Sequence, residues 1–149
     1  MLATIKKVLV AQRVVCCFMV GCVALVGCDS GPTLIPISGQ VSIDGKPLER
    51  GIVTVWVKDH RPSLGAIGKD GRFTLMTSRP GDGCVVGEHL VSVTSELGLK
   101  DESTQIFIPT RYGDPKASGL SVNVTEPKED WMIDLTWRGD EHSSPYIVK

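Results

Sequence analysis

The chain has 149 residues, a formal net charge of −1 and 42% hydrophobic side chains. That is one domain's worth of sequence, apolar enough to exclude a disordered chain. With no long Lys/Arg block, it also lacks the phosphate-neutralising charge that nucleic-acid binding needs.

Charge and apolarity are unevenly distributed. Lys6, Lys7 and Arg13 precede an uncharged apolar run from Val14 to Val26, and no acid occurs before Asp29. Thirteen residues are too few to span a bilayer, which takes roughly 20, but they suit the hydrophobic region of a signal peptide. The run ends in Leu25-Val26-Gly27-Cys28, which resembles the bacterial lipobox: a small residue for the peptidase, then a thiol to receive diacylglycerol. Residues 1–27 are therefore read as a lipoprotein signal peptide and Cys28 as the lipidation site. Cys28 to Pro36 form a short tether, with membrane lipid the expected partner through acylated Cys28. The expected location is the cell envelope, on the inner or outer membrane, facing the periplasm or the exterior.

Removal of the leader changes the bookkeeping. Of 16 basic residues three leave, so 13 face 17 acids and the mature chain carries −4. Cys16, Cys17 and Cys22 leave too, and with Cys28 acylated Cys84 has no intramolecular partner, which excludes a disulfide scaffold.

From residue 37 onward, strand signals recur every ten to twelve residues, as in antiparallel sandwiches. Ile37, Gly39, Val41 and Ile43 alternate with polar residues until Asp44-Gly45-Lys46-Pro47 supplies a turn. Val53, Val55 and Val57 form the next stripe, with Thr54 and Trp56 on the opposite face, which predicts a central strand. A short strand near Leu64 leads to the Asp70-Gly71 hairpin signal, followed by Phe73 and Leu75. Pro80-Gly81-Asp82-Gly83 reads as a turn. Strands are then expected around Val91–Val93, Leu120–Val124 and Trp131–Trp137, while Ile106, Phe107 and Ile108 precede Pro109. Residues 96–105 are expected to be a loop, and Thr110–Ser118 to hold at most one helical turn. The prediction is all-β: about seven antiparallel strands in a prealbumin- or Ig-like sandwich over residues 37–138, then a flexible tail at 139–149.

Certain segments also carry a family likeness. Gly39-Gln40-Val41-Ser42-Ile43-Asp44-Gly45-Lys46-Pro47-Leu48, Gly51-Ile52-Val53-Thr54-Val55 and Asp70-Gly71-Arg72-Phe73-Thr74-Leu75 resemble carboxypeptidase-regulatory-like (transthyretin-like) domains. Pro80-Gly81-Asp82-Gly83 with Gly87-Glu88-His89, and the run from Ile108-Pro109-Thr110-Arg111-Tyr112-Gly113-Asp114-Pro115 to Leu120, resemble small lipoproteins of planctomycete-type bacteria. The resemblance covers roughly residues 36–137. It implies a seven-stranded prealbumin-like sandwich without catalytic residues. The chain departs from that pattern at Trp56 and Lys58. Its Tyr146-Ile147-Val148-Lys149 end also lacks the Tyr-Arg-Gly-Ser motif of the transthyretin-fold hydrolase of purine breakdown.

The motifs for chemistry are sparse. His60, His89 and His142 have no zinc-ligand spacing and are read as surface residues. Asp70, Asp82, Asp101 and Asp114 lack the Asp-x-Asp-x-Asp spacing of a calcium loop and are read as turn acids. No catalytic residue, metal or cofactor is expected. The expected function is a non-enzymatic binding or structural module on the membrane, with envelope proteins or glycans as partners. Trp56 is the candidate ligand contact, for a carbohydrate or peptide. A hydrolase would need Cys84, His89 and an acid to share a cleft.

Overall fold

The computed structural model describes residues 31–149, so the expected signal peptide, Cys28 and the start of the expected tether lie outside the described residues. Where β-branched residues alternate with polar ones, the chain is extended. Strand β2 (Ile37–Ile43) places Ile37 and Val41 inward, nearly free of solvent contact. Asp44 and Gly45 then both take positive φ, 48° and 79°, closing a tight hairpin onto β3 (Lys46–Pro47). Positive φ at both central residues matches the twist of the flanking strands, and Gly accepts it without steric cost.

The fold is all-β, with several mostly antiparallel sheets and, among the described residues, one 3-10 turn at Thr110–Gly113 and no α-helix. Two four-stranded sheets dominate. One joins β12 (Lys128–Leu135), β2 and β3, with β6 (Arg72–Thr74) also paired to β2. The other runs β11 (Leu120–Val124), β8 (Gly87–Thr94), β4 (Ile52–Trp56) and β5 (Ser63–Ala66). The inward stripes of both sheets, including Val41, Phe73, Ile133, Val53, Val55, Val91, Val93 and Val124, belong to a single buried cluster, giving a sandwich-like arrangement. Each fully buried Val or Ile contributes on the order of 1.5–3 kcal/mol. The stripe of β4 was expected to be central, and β4 has β8 on one side and β5 on the other.

The structure departs from the sequence expectations in four places. The described residues hold thirteen strands rather than about seven, because most of their seven pieces of two or three residues are too short for a period of two to register. Two of these, β1 (Leu34–Ile35) and β7 (Cys84–Val85), pair with each other, so the end of the tether is already strand. Residues 96–105, expected as a loop, contain β9 (Glu96–Gly98) and the start of β10 (Thr104–Ile106), an antiparallel pair. Residues 139–149, expected as a flexible tail, carry β13 (Tyr146–Val148), which pairs with β10. Finally, β12 runs parallel to β2, not antiparallel.

Candidate functional site

Trp56 is the last residue of β4, and strand alternation points it away from the core stripe of Val53 and Val55. Cross-strand register puts Leu90 opposite Trp56 and Ser92 opposite Thr54, all on the outer face of the second sheet. The indole Nε1–H donates to Ser92 Oγ at 2.9 Å. Ser92 holds an outward position yet is only 3% exposed, whereas Trp56 itself is 46% exposed. The indole is therefore laid across the sheet over Ser92, with part of its surface left to solvent. Leu90 is exposed opposite it, and Ile52, Leu64 and Met76 are exposed elsewhere on the face, Leu64 lying opposite Thr54 and Met76 bridging to Leu64. Among the outward residues of these four strands, Glu88 alone is charged.

The residues a hydrolase would need are arranged differently. Cys84 is fully buried, and its thiol is pushed above the usual range by burial, against weaker lowering by hydrogen bonds from Ser63 and the Val85 backbone. A thiol held protonated in an apolar setting is a poor nucleophile. His89 was read as a surface residue, but it faces inward, 9% exposed, with Nε2 donating to the Val85 carbonyl at 2.8 Å. The alternation along β8 explains the correction: Glu88 and Leu90 face out, so His89 faces in. His60 is exposed and His142 partly so. Neither Cys84 nor His89 lines either of the two grooves described below.

The loop acids act on their own backbone. Asp82 accepts from the amides of Thr77, Ser78 and Arg79 at 2.6, 2.9 and 2.8 Å, so a carboxylate from within fills the cradle of the Gly-rich turn. Slight burial raises its pKa, but the three amides and nearby Arg79 outweigh this and hold it below the usual carboxylate range. Asp101 is also lowered, chiefly by the Ser103 hydroxyl and amide. Asp70 accepts from the Arg72 amide and Asp114 from the Lys116 amide. Among the described residues, no three His, Cys, Asp or Glu side chains converge as metal ligands.

One polar centre was not legible in the sequence. Arg111, in the 3-10 turn, donates through one nitrogen to Asp140 Oδ2 at 3.1 Å. Through the other it reaches the carbonyls of Thr136 (2.6 Å) and Arg138 (3.2 Å) and the hydroxyl of Tyr112. Asp44 accepts from Thr136 Oγ1 at 2.7 Å, so the β2–β3 turn is tied to the same segment. An open groove of about 580 Å³ lies here, bordered by Asp44, Arg138, Asp140 and His142. A smaller groove of about 200 Å³ lies between the end of β8 and Ile106–Thr110. The only signal for the Arg111 centre was the family-like run around Thr110–Asp114, which does not name its partners.

No family model matches the chain, and no curated protein is significantly similar to it. A solved structure of a DUF3823 family protein from Parabacteroides merdae ATCC 43184 is similar at 14% identity, with a TM-score of 0.38. The match covers 71% of this chain and 46% of that protein, so the chain spans less than half of its length. A likeness at that level carries no weight for function.

Proposed function

We propose that this chain is a lipid-anchored protein of the bacterial envelope whose domain is a non-catalytic binding or structural module of the prealbumin-like, carboxypeptidase-regulatory-like kind. The observation that carries the reading is the basic-then-apolar leader closing on Leu25-Val26-Gly27-Cys28, with only five residues between Cys28 and the first described strand at Leu34. A single acyl chain binds a bilayer marginally, and the two or three that lipobox processing adds hold it stably. The finer fold assignment draws support from the Asp44-Gly45 turn between β2 and β3 and from the Asp70-Gly71 segment before β6. Both belong to the family-like stretches. The buried, protonated Cys84 and the inward His89 favour binding over catalysis. Trp56 and its neighbours are the exposed apolar surface that such a module offers.

Replacing Cys28 by Ser tests the anchoring. The variant is expected in the soluble fraction without incorporated labelled palmitate, while the unaltered chain sediments with membranes and takes up label. A variant that stays with the membrane would show that the leader, uncleaved, is the anchor instead.

A further inference from the structure

We infer that the outer face of the second sheet, centred on Trp56, rests on the lipid surface to which the chain is anchored. The inference builds on the anchoring reading above and adds an orientation to it. Three observations point the same way.

The first is reach. From Cys28 to Leu34 there are six backbone steps, which extend to roughly 20 Å at most. At the far end the Val86 amide donates to the Thr33 carbonyl at 3.3 Å, so the tether joins the domain beside Val86, which is itself exposed. Leu90 lies four residues further along, about 13 Å in an extended strand. The apolar face is thus within the distance that the tether allows between lipid and domain.

The second is chemistry. Leu90 lies opposite Trp56, Ile52 and Leu64 share its outer face with Met76 bridging to Leu64, and each of the four is 40–47% exposed. Scattered apolar residues need no explanation, but several sharing one sheet face with an exposed Trp do. Burying a polar group costs free energy unless it is already hydrogen-bonded. Here the indole N–H is already satisfied by Ser92, so moving the ring into the headgroup region strands no donor. The same bond argues against a sugar as the primary occupant, because the polar handle that would orient it is taken.

The third is charge. Outward positions of the four strands carry no Lys or Arg, and Glu88 is their one charge. A face of this kind does not rely on anionic lipid. It matches an interfacial contact in which Trp and Leu sit at the headgroup boundary, about 5–10 Å deep.

The acylated protein, purified and reconstituted into phosphatidylcholine vesicles with and without brominated chains, gives a direct test. Brominated lipid is expected to lower the Trp fluorescence, and Trp56→Phe should reduce that quenching at least two-fold. In the Trp56→Phe background, Met132→Trp places an indole on the outer face of the other sheet, where Met132 is 53% exposed. That indole should remain open to aqueous iodide and untouched by brominated lipid. Leu90→Asp should weaken the Trp56 quenching, and salt should not.

A protein that floats with the vesicles while Trp56 stays accessible to iodide overturns the docking and leaves the anchoring intact. So does a Met132→Trp indole quenched as strongly as Trp56, or quenching that requires phosphatidylglycerol. A Trp56 shielded only on adding a soluble glycan or a second protein assigns the face to that partner and likewise overturns it. A chain that does not float overturns both readings.

Discussion

Asp82 is a side chain whose function is conformational and whose ionisation is set by its surroundings. Three amides converge on its carboxylate, favouring the charged form. An Asp whose folded pKa lies below its unfolded value stabilises the fold fully above the unfolded pKa, near 3.9. The contribution is lost as pH falls through the folded pKa. Asp101, held by Ser103, acts in the same direction. Stability measured by urea unfolding is therefore expected to be flat from neutrality to about pH 5 and to fall from about pH 4 downward. Asp82→Asn should unfold at lower urea at pH 7 and show a shallower acid dependence. An equal slope in both proteins would assign the acid sensitivity elsewhere. The positive φ at Asp44 is likewise put to use, since its carboxylate reaches Thr136 Oγ1 from the turn.

Among the elements, β13 shows how a segment without pattern of its own acquires a structure. Tyr146, Ile147 and Val148 pair with Ile106, Gln105 and Thr104, while Tyr146 stacks on His142 at 3.6 Å and meets Trp137 edge-on. The connection back to the sandwich is made by Arg111, whose guanidinium gathers Asp140 and the carbonyls of Thr136 and Arg138. Hydrogen bonds to a charged group are worth about 1.5–3 kcal/mol. Arg111→Ala is expected to destabilise the domain by about 2–3 kcal/mol, read as a lower urea midpoint with faster amide exchange in β13 and β10. Arg111→Lys should recover little, because an ammonium lacks the planar fork that spans several acceptors. Full recovery by Lys would show that charge alone, without geometry, holds the segment.

For the molecule as a whole, the decisive seam is the parallel pairing of β2 with β12, residues about ninety apart in sequence. At its tightest point a Cβ on Gly39 would collide with the Trp131 carbonyl and touch the Phe73 ring at 3.1 Å. Phe73 and Trp131 in turn pack edge to face at 5.6 Å. Gly39→Ala should cost about 1–3 kcal/mol through overpacking and backbone displacement. The loss should appear as a lower thermal midpoint, and an unchanged midpoint would mean that the two strands separate freely. The seam joins β2 to β12, and β12 runs directly into the 136–140 segment that Arg111 holds, so the seam and the Arg111 centre share one framework.

How much of this was legible follows from the range of each interaction. The sequence by itself determined the all-β class, the core stripes of β2 and β4 and the two Asp-Gly turns. Each rests on side chains within a few residues of one another, where periodicity and φ preference act directly. It also placed Trp56 opposite the valine stripe, where the structure has it. The tertiary structure alone decided the direction of β12, the existence of β1, β7, β9 and β13, and the inward turn of His89. It also laid the indole over Ser92 and gathered the acceptors around Arg111. In those cases the stabilising partner is backbone or side chain far along the chain. A strand of two or three residues, or a single arginine, carries no local pattern that names it.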